Sequence, residues 1–436
     1  MRIAFYTLGC KLNQCESEAL ATAAACRGFS LSVTWEEADI YIINTCTVTS
    51  KAEQKARRVI RKILRERPAA QVVVTGCYAQ LESEALRGIS PRLIIVTQEE
   101  KDLLLDLLSS AAPGGDLQLL VQDLRDQRLN HADPFAFRVD STAYHTRPFL
   151  KIQDGCDNRC AYCRVPLARG NSISLKADEV LRRLEDLEEK GFREVVLTGV
   201  NITAYRDGDT TFDDLLERLL SRNWSFRIRL SSLEPDRVTE HLAELVTDER
   251  ICPHFHLPVQ SLSDRILKAM GRHYDAAGAL KAVERLTASR SDPFLAADVI
   301  TGFPGETEED SQETFRLLTD LPFSGLHVFP FSPRPGTRAF GMKNRVPERD
   351  SGQRSARLLR LSKELHEAYL HRWIGRVVSP LLLEKGSAPG RWQGLSENYL
   401  QLSVRGVPAK EAAPGLLCRA EVVEEAGTMA ARFSGF

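Results

Sequence analysis

Apolar residues in the first hundred positions fall into short β-branched runs, RIAFYTLG, IYIINT, QVVVTG and LIIVT. Longer amphipathic stretches such as 16–27 and 51–67 separate them. Short Val- and Ile-rich runs predict strands, and apolar positions at three- and four-residue spacing predict helices. Their alternation predicts a parallel α/β sheet within residues 1–130. Residues 109–142, with SSAAPGGD and a mixed polar stretch, read as loops and a linker. Within 143–372 six more strand-like runs recur: FLKIQDG, EVVLTGV, RIRLSSL, HFHLPV, FLAADVITGF and GLHVFPFS. Helical patterns at 177–190, 212–222, 236–248, 263–270 and 308–319 lie between them. Six βα units predict an incomplete (β/α)6 barrel with its mouth at the strands' carboxyl ends. After a charged helical stretch near 348–372, residues 376–436 show VVSPLLLEKG, GLSENYLQLSV and CRAEVVEEAG. These predict a small all-β barrel of a size common among nucleic-acid-binding modules. The fold class is α/β and multidomain.

A length of 436 residues suits about three domains. The start, MRIAFYTLGCKLNQCESE, lacks a secretory apolar region, and no run reaches the about 18 apolar residues of a membrane span. A cytoplasmic protein is expected, and in a reducing compartment clustered cysteines read as metal ligands or nucleophiles. The net charge of −1 hides a local excess: residues 51–67 hold eight Lys or Arg against two Glu. Lys55, Arg58, Arg61 and Lys62 on this segment form either a phosphate-binding face or a solvated one. The terminal segment 376–436 is balanced, with seven Lys or Arg against six Glu. Tyr399, in its ENYLQL run, offers a ring for base stacking or for packing.

The ten cysteines are unevenly placed. Cys156, Cys160 and Cys163 form C-x3-C-x2-C just after the first strand of the central region, at the predicted mouth. Zinc would need a distant fourth ligand, whereas an iron–sulfur cube can use three thiolates and leave one iron open. Incidental clustering is the third reading. Cys10, Cys46 and Cys77 each follow a strand of the first sheet, so a parallel arrangement gathers them on one edge. Cys15, Cys26, Cys252 and Cys418 read as structural thiols, although Cys15 is near enough to Cys10 to exchange with it as a ligand. His254 and His256 alternate on a strand as core or pocket residues do.

The C-x3-C-x2-C pattern with Tyr162 before its last cysteine resembles the radical S-adenosylmethionine (SAM) signature. In that superfamily a free iron of a 4Fe–4S cluster chelates SAM, whose reductive cleavage yields a 5′-deoxyadenosyl radical. Cys10, Cys46 and Cys77 ahead of CDNRCAYC, VPLARG, SSLEP, HLPVQS, DVITGFPGET and RPGT resemble the methylthiotransferases over nearly the whole chain. The final segment is similar to their TRAM domain. The resemblance implies two 4Fe–4S clusters, one on Cys156, Cys160 and Cys163 and one on Cys10, Cys46 and Cys77. A second SAM would serve as methyl donor.

TLGCKLNQ, LTGVN and SENYL are closest to the branch that acts on threonylcarbamoyladenosine beside the tRNA anticodon, implying a methylthio group placed at purine C2 of position 37. An unactivated C–H bond calls for a radical, with the protein supplying position and exclusion of water. The alternatives are isopentenyladenosine in tRNA, an aspartate of a ribosomal protein, or a noncatalytic iron–sulfur RNA-binding protein. By the same resemblance Tyr162, Gly199, Asn201, Ser232, Glu234 and Gln260 contact or shape the SAM pocket. Gly302 and Gly305 fit that pocket or plain turns equally. Arg169 would neutralise cluster or RNA charge, unless it is a solvated surface arginine. The implied partners are a tRNA anticodon stem-loop and an electron donor such as a flavodoxin or ferredoxin, with no membrane. Ile173, Leu262 and Arg164 depart from the family's usual residues.

Overall fold

The protein is described from a computed structural model covering all residues except 33–37, 129–132, 140–143, 389 and 426–427. Its first sheet contains β1 (Arg2–Thr7), β2 (Ser30–Leu31), β3 (Ile40–Thr45), β4 (Gln71–Gly76) and β5 (Leu93–Ile95) in the order 2-1-3-4-5. All four pairings are parallel. Helix α1 (Lys11–Cys26) follows β1, and α2 (Ser50–Glu66) follows β3 behind a Thr49 cap whose side chain accepts from Ala52 N–H. The two-residue β2 is too short to have been predicted from composition. A helix at Leu117–Asp126, capped by Asp116, occupies part of the stretch expected to be loop.

The six central runs form strands Phe149–Lys151, Glu194–Thr198, Arg227–Leu230, His254–Gln260, Phe294–Thr301 and Gly325–Pro330. They make two three-stranded parallel sheets, with an isolated parallel bridge between Ile228 and Ile251 beside the gap. Side chains alternate across a strand. One parity, including Leu150, Val195, Leu197, Ile228, Leu230, Phe255, Leu257, Leu295, Ala297 and Leu326, packs in the main core. The opposite parity includes Lys151, Glu194, Thr198, Arg229, His254, His256, Asp298 and His327. The inner face is therefore polar. The sequence reading also missed the helix Ala276–Ser289, capped by Asp275.

The N-terminal sheet joins this region through α1. Phe149 and Val196 share a core with Cys15, Ala19 and Leu20. The Cys15 thiol donates to Phe149 O at 3.4 Å, and burial pushes it up to about 12. It is fully buried and packs in this core.

Residues 377–435 form a closed five-stranded barrel. It docks where the central strands begin. Arg227 donates to the carbonyls of Pro380 and Leu395, and Arg229 to those of Ser396 and Glu397. Both arginines also pair with buried Glu194, at 2.6 Å each. Tyr399 lies in the turn before Gln401–Arg405, not on a strand, with left-handed backbone at φ 66°. Its ring stacks on His254 at 4.1 Å and under Arg229 at 5.3 Å. That is the packing alternative of the two read for Tyr399 from the sequence. No helix among the described residues is long and apolar enough to cross a membrane.

Candidate functional site

Cys10 is the N-cap of α1, Cys46 follows β3, and Cys77 opens the short helix after β4. All three therefore stand on the carboxyl edge of the parallel sheet. Cys46 and Cys77 are buried, and Cys10 is exposed. Burial first, then the neighbouring Cys10 and Cys77, push the Cys46 thiol up to about 12. Gly9 has φ +98°, and a Cβ there would lie 2.7 Å from Cys46 Sγ. The backbone must thus be bare for Cys10 to approach its partner.

The second trio lies on one loop. Cys156 N–H donates to Gly170 O and Cys163 N–H to Cys160 O, both at 3.1 Å. Val165 N–H reaches Cys163 Sγ at 3.4 Å. Burial and then Cys160 raise the Cys163 thiol to about 12, and burial raises Cys156 to about 11. Crowded neutral thiols are the groups a metal centre deprotonates on binding.

Neither trio is drawn in to the spacing of a zinc site. Tetrahedral zinc with Zn–S of about 2.3 Å brings its sulfurs to roughly 3.8 Å. Among the described residues the set of three ligand atoms within 4.8 Å is His256, Asp298 and His327, and neither cysteine trio is that tight.

Arg169 links the two trios. It ends the helix Val165–Arg169, which begins just past Cys163, and its positive charge favours the Cys77 thiolate against the burial that raises that thiol. It donates to Glu16 at 3.0 Å, to Asp154 at 2.9 Å and to Asn13 at 2.8 Å. Lys151 and Lys101 also pair with Glu16. With its side chain 2% exposed, Arg169 is neither a solvated arginine nor a contact for RNA phosphates. Arg164 is likewise buried. It donates to Glu53 and Thr47 at 3.2 Å each and to Glu82 at 2.8 Å. Arg334 converges on the same Glu53. Of the other departures, Leu262 is fully buried and Ile173 is 45% exposed.

Asn201 and Glu234, two of the expected SAM-pocket residues, lie on one hydrogen-bonded path that ends at Cys160. Gln153 Oε1 accepts from Asn201 N–H at 2.8 Å, and its amide donates to Gly155 O at 2.8 Å. A Cβ on Gly199 would crowd Gln153 at 2.9 Å. Thr203 donates to Asn201 Oδ1 at 2.7 Å and accepts from Glu234 N–H at 3.3 Å. Glu234 pairs with Arg272, which in turn donates to Cys160 Sγ at 3.2 Å. Burial pushes the Glu234 carboxyl up to about 6. Tyr162 packs edge-to-face on Phe303 at 6.5 Å, and Gln260 is buried with φ 63°. Sequence reasoning missed Arg272, whose only local signal is the helix-ending Gly271 before it.

Ser232 meets His256 Nδ1 at 2.7 Å, while His256 and His327 approach Asp298 Oδ1 at 2.9 and 3.1 Å. Burial would raise the Asp298 carboxyl, but these imidazole bonds outweigh it and hold it at about 2. His254 is instead stacked between Phe294 and Tyr399. On α2, Lys55, Arg58 and Arg61 are exposed and Lys62 is half-buried. Arg58, Arg61 and Lys62 line an open groove of about 660 Å³ with Arg57 and Arg65.

Two sequence profiles match separate stretches of the chain. A sequence profile of the Radical SAM superfamily matches residues 150–318, and one described as uncharacterized protein family UPF0004 matches 2–97. The threonylcarbamoyladenosine tRNA methylthiotransferase MtaB of Treponema pallidum is 39% identical, covering 91% of this chain and 93% of that protein. Its Aquifex aeolicus counterpart is 34% identical, over 93% and 97%. A tRNA-2-methylthio-N(6)-dimethylallyladenosine synthase of Nitratidesulfovibrio vulgaris is 36% identical, over 89% and 88%. The radical SAM methyltransferase TsrM of Kitasatospora setae shares the fold, with a TM-score of 0.52 at 16% identity over 78% of this chain and 76% of that one. With two cysteine trios and relatives matched along almost its entire length, the chain belongs to the methylthiotransferase family of radical SAM enzymes.

Proposed function

We propose that the chain is a tRNA methylthiotransferase that modifies C2 of N6-threonylcarbamoyladenosine at position 37. The carrying observation is the pair of separate cysteine trios bridged by one buried arginine, Arg169. A cluster on Cys156, Cys160 and Cys163 would, with SAM, supply the carbon radical, and a second on Cys10, Cys46 and Cys77 the sulfur. Arg169 and Arg164 fix the trios relative to each other through Glu16, Asp154 and Glu53. Arg272 donates to Cys160 and fixes Glu234, while Asn201, Gly199, Ser232, Gln260 and Tyr162 shape the SAM pocket. The two three-stranded sheets act as one incomplete (β/α)6 barrel, and 376–436 is the TRAM domain.

Lys55, Arg58, Arg61 and Lys62 hold phosphates of the anticodon stem-loop, in keeping with their place on the helix that follows Cys46. A flavodoxin or ferredoxin supplies the electron. The test is mass spectrometry of tRNA nucleosides from a host lacking its own methylthiotransferases and expressing this chain. Methylthio-threonylcarbamoyladenosine is expected. Methylthio-isopentenyladenosine, or no methylthio nucleoside from protein holding both clusters, would overturn the substrate.

A further inference from the structure

A second cationic surface, apart from the groove on α2, lies against the C-x3-C-x2-C loop. There an open cavity of about 700 Å³ is lined by Cys160 and Cys163 together with Arg159, Arg272, His273 and Arg338. None of Tyr162, Gly199, Asn201, Ser232, Glu234 and Gln260 lines it, so it reaches the two cysteines from a side other than the expected SAM pocket. Arg272 borders both spaces: it lines the cavity, pairs with Glu234 and donates to Cys160 Sγ. Among the described residues no carboxylate lines the cavity. Arg159 and Arg338 are exposed and make no hydrogen bond or ion pair with any described residue. Other exposed arginines, such as Arg182 and Arg222, are held by acidic neighbours. The lining also carries Pro166 and Leu167, the latter 49% exposed. Apolar area beside unanswered charge is the make-up of a surface that meets a protein of opposite charge.

We infer that this cavity is the docking surface of the electron donor, an acidic one-electron carrier protein of the flavodoxin or ferredoxin class. This rests on the function proposed above. The carrier is oxidised by one electron and the cluster held by Cys156, Cys160 and Cys163 is reduced by one, with no bond made or broken in that step. The carrier must come close to the cluster, and this cavity admits it without displacing SAM. Arg159 and Arg338 steer the carrier's acidic rim onto the loop, and Leu167 packs at the contact. RNA is the less suited occupant. Its target base must reach the SAM side, and its phosphates are met by the groove on α2, where five cations line one surface.

The test is calorimetric binding of a flavodoxin, and separately of a ferredoxin, to the cluster-loaded full chain. Release of 5′-deoxyadenosine is measured alongside, driven either by the reduced carrier or by dithionite, which needs no docking. Wild type should bind one of the carriers, and more weakly as salt rises, because exposed charges are screened. The double variant Arg159→Glu, Arg338→Glu should bind about 10-fold more weakly, as reversed charges at an interface rim do. Carrier-driven cleavage should slow in parallel, while iron content and dithionite-driven cleavage stay at the wild-type level. Arg338→Glu alone, outside the cysteine loop, should give part of the loss, and it decides the matter if the double variant loses iron. Variants that bind the carrier as wild type does, or a wild type that binds neither carrier, would overturn the docking surface and leave the proposed function standing. Lost affinity for an anticodon stem-loop with carrier binding intact would make the cavity an RNA contact and overturn it too. Wild type that fails to cleave SAM even with dithionite would overturn the proposed function itself.

Discussion

Cys156, Cys160 and Cys163 come from one loop, whereas Cys10, Cys46 and Cys77 come from three loops at the ends of three strands. The first trio is set by short chain segments closed by backbone bonds such as Cys163 N–H to Cys160 O. The second exists only when β1, β3 and β4 are in register, so its geometry costs the whole sheet's folding free energy. A local trio tolerates loss of distant structure, while an assembled trio reports it. Arg169 sits between them, at the end of the local loop's helix and against Cys77.

The largest expected effect separates the trios chemically. Cys46→Ala should abolish the methylthio product and about halve bound iron while leaving reductive SAM cleavage intact. Cys163→Ala should abolish both reactions, as read by nucleoside mass spectrometry and 5′-deoxyadenosine release. If Cys46→Ala also stops SAM cleavage, the trios are not independent.

Next in size is Arg169→Met, which strands Glu16 and Asp154 in the interior. Removing one partner of a buried charge network costs about 3–5 kcal/mol, read in urea melts. Iron should be lost from the assembled trio first. Equal loss from both would erase the contrast between local and assembled sites.

A reference lies at the far end of the central strands. Glu194→Gln leaves Arg227 and Arg229 without a counter-charge, and should destabilise by about 3 kcal/mol at pH 7 without selective iron loss. Burial would raise the Glu194 carboxyl, but Arg229 and Arg227 outweigh it and hold it well below the ordinary 4.5. Its contribution is complete above pH 4.5 and is lost as pH falls through the depressed value. The gap between wild type and variant should therefore narrow on acidification. A gap that widens between pH 7 and pH 4 would contradict the assigned ion pairs.

Cys15→Ala is the smallest change. It removes a buried sulfur and its bond to Phe149 O, for about 1 kcal/mol. Iron in the assembled trio should be unchanged. Loss of that iron would return Cys15 to the ligand set.

The strands were readable because runs such as IYIINT and QVVVTG are apolar on both faces, as buried parallel strands must be. Leu117, Leu120, Val121 and Leu124 carry helical spacing, but SSAAPGGD just before them drew that segment into the loop reading. The six cysteines were visible from spacing and strand ends. Their supports were not. Arg164 looked like a misplaced polar residue because its answer, Glu53, is on another sheet's helix. Arg272 and Glu234 are unremarkable apart, and only the fold makes them one ion pair against Cys160. Arg169 and Tyr399 were left between inward and outward roles because a lone arginine or tyrosine carries no sign of what will cover it.

The contact between the central strands and the terminal barrel carries one more consequence. Arg227 and Arg229 grip main-chain carbonyls of residues 380 and 395–397, not side chains. Every amino acid presents the same carbonyl oxygen, so these four positions can drift in sequence while the attachment persists. Relatives can thus exchange or remodel the outer surface of the terminal module without re-evolving the socket that holds it.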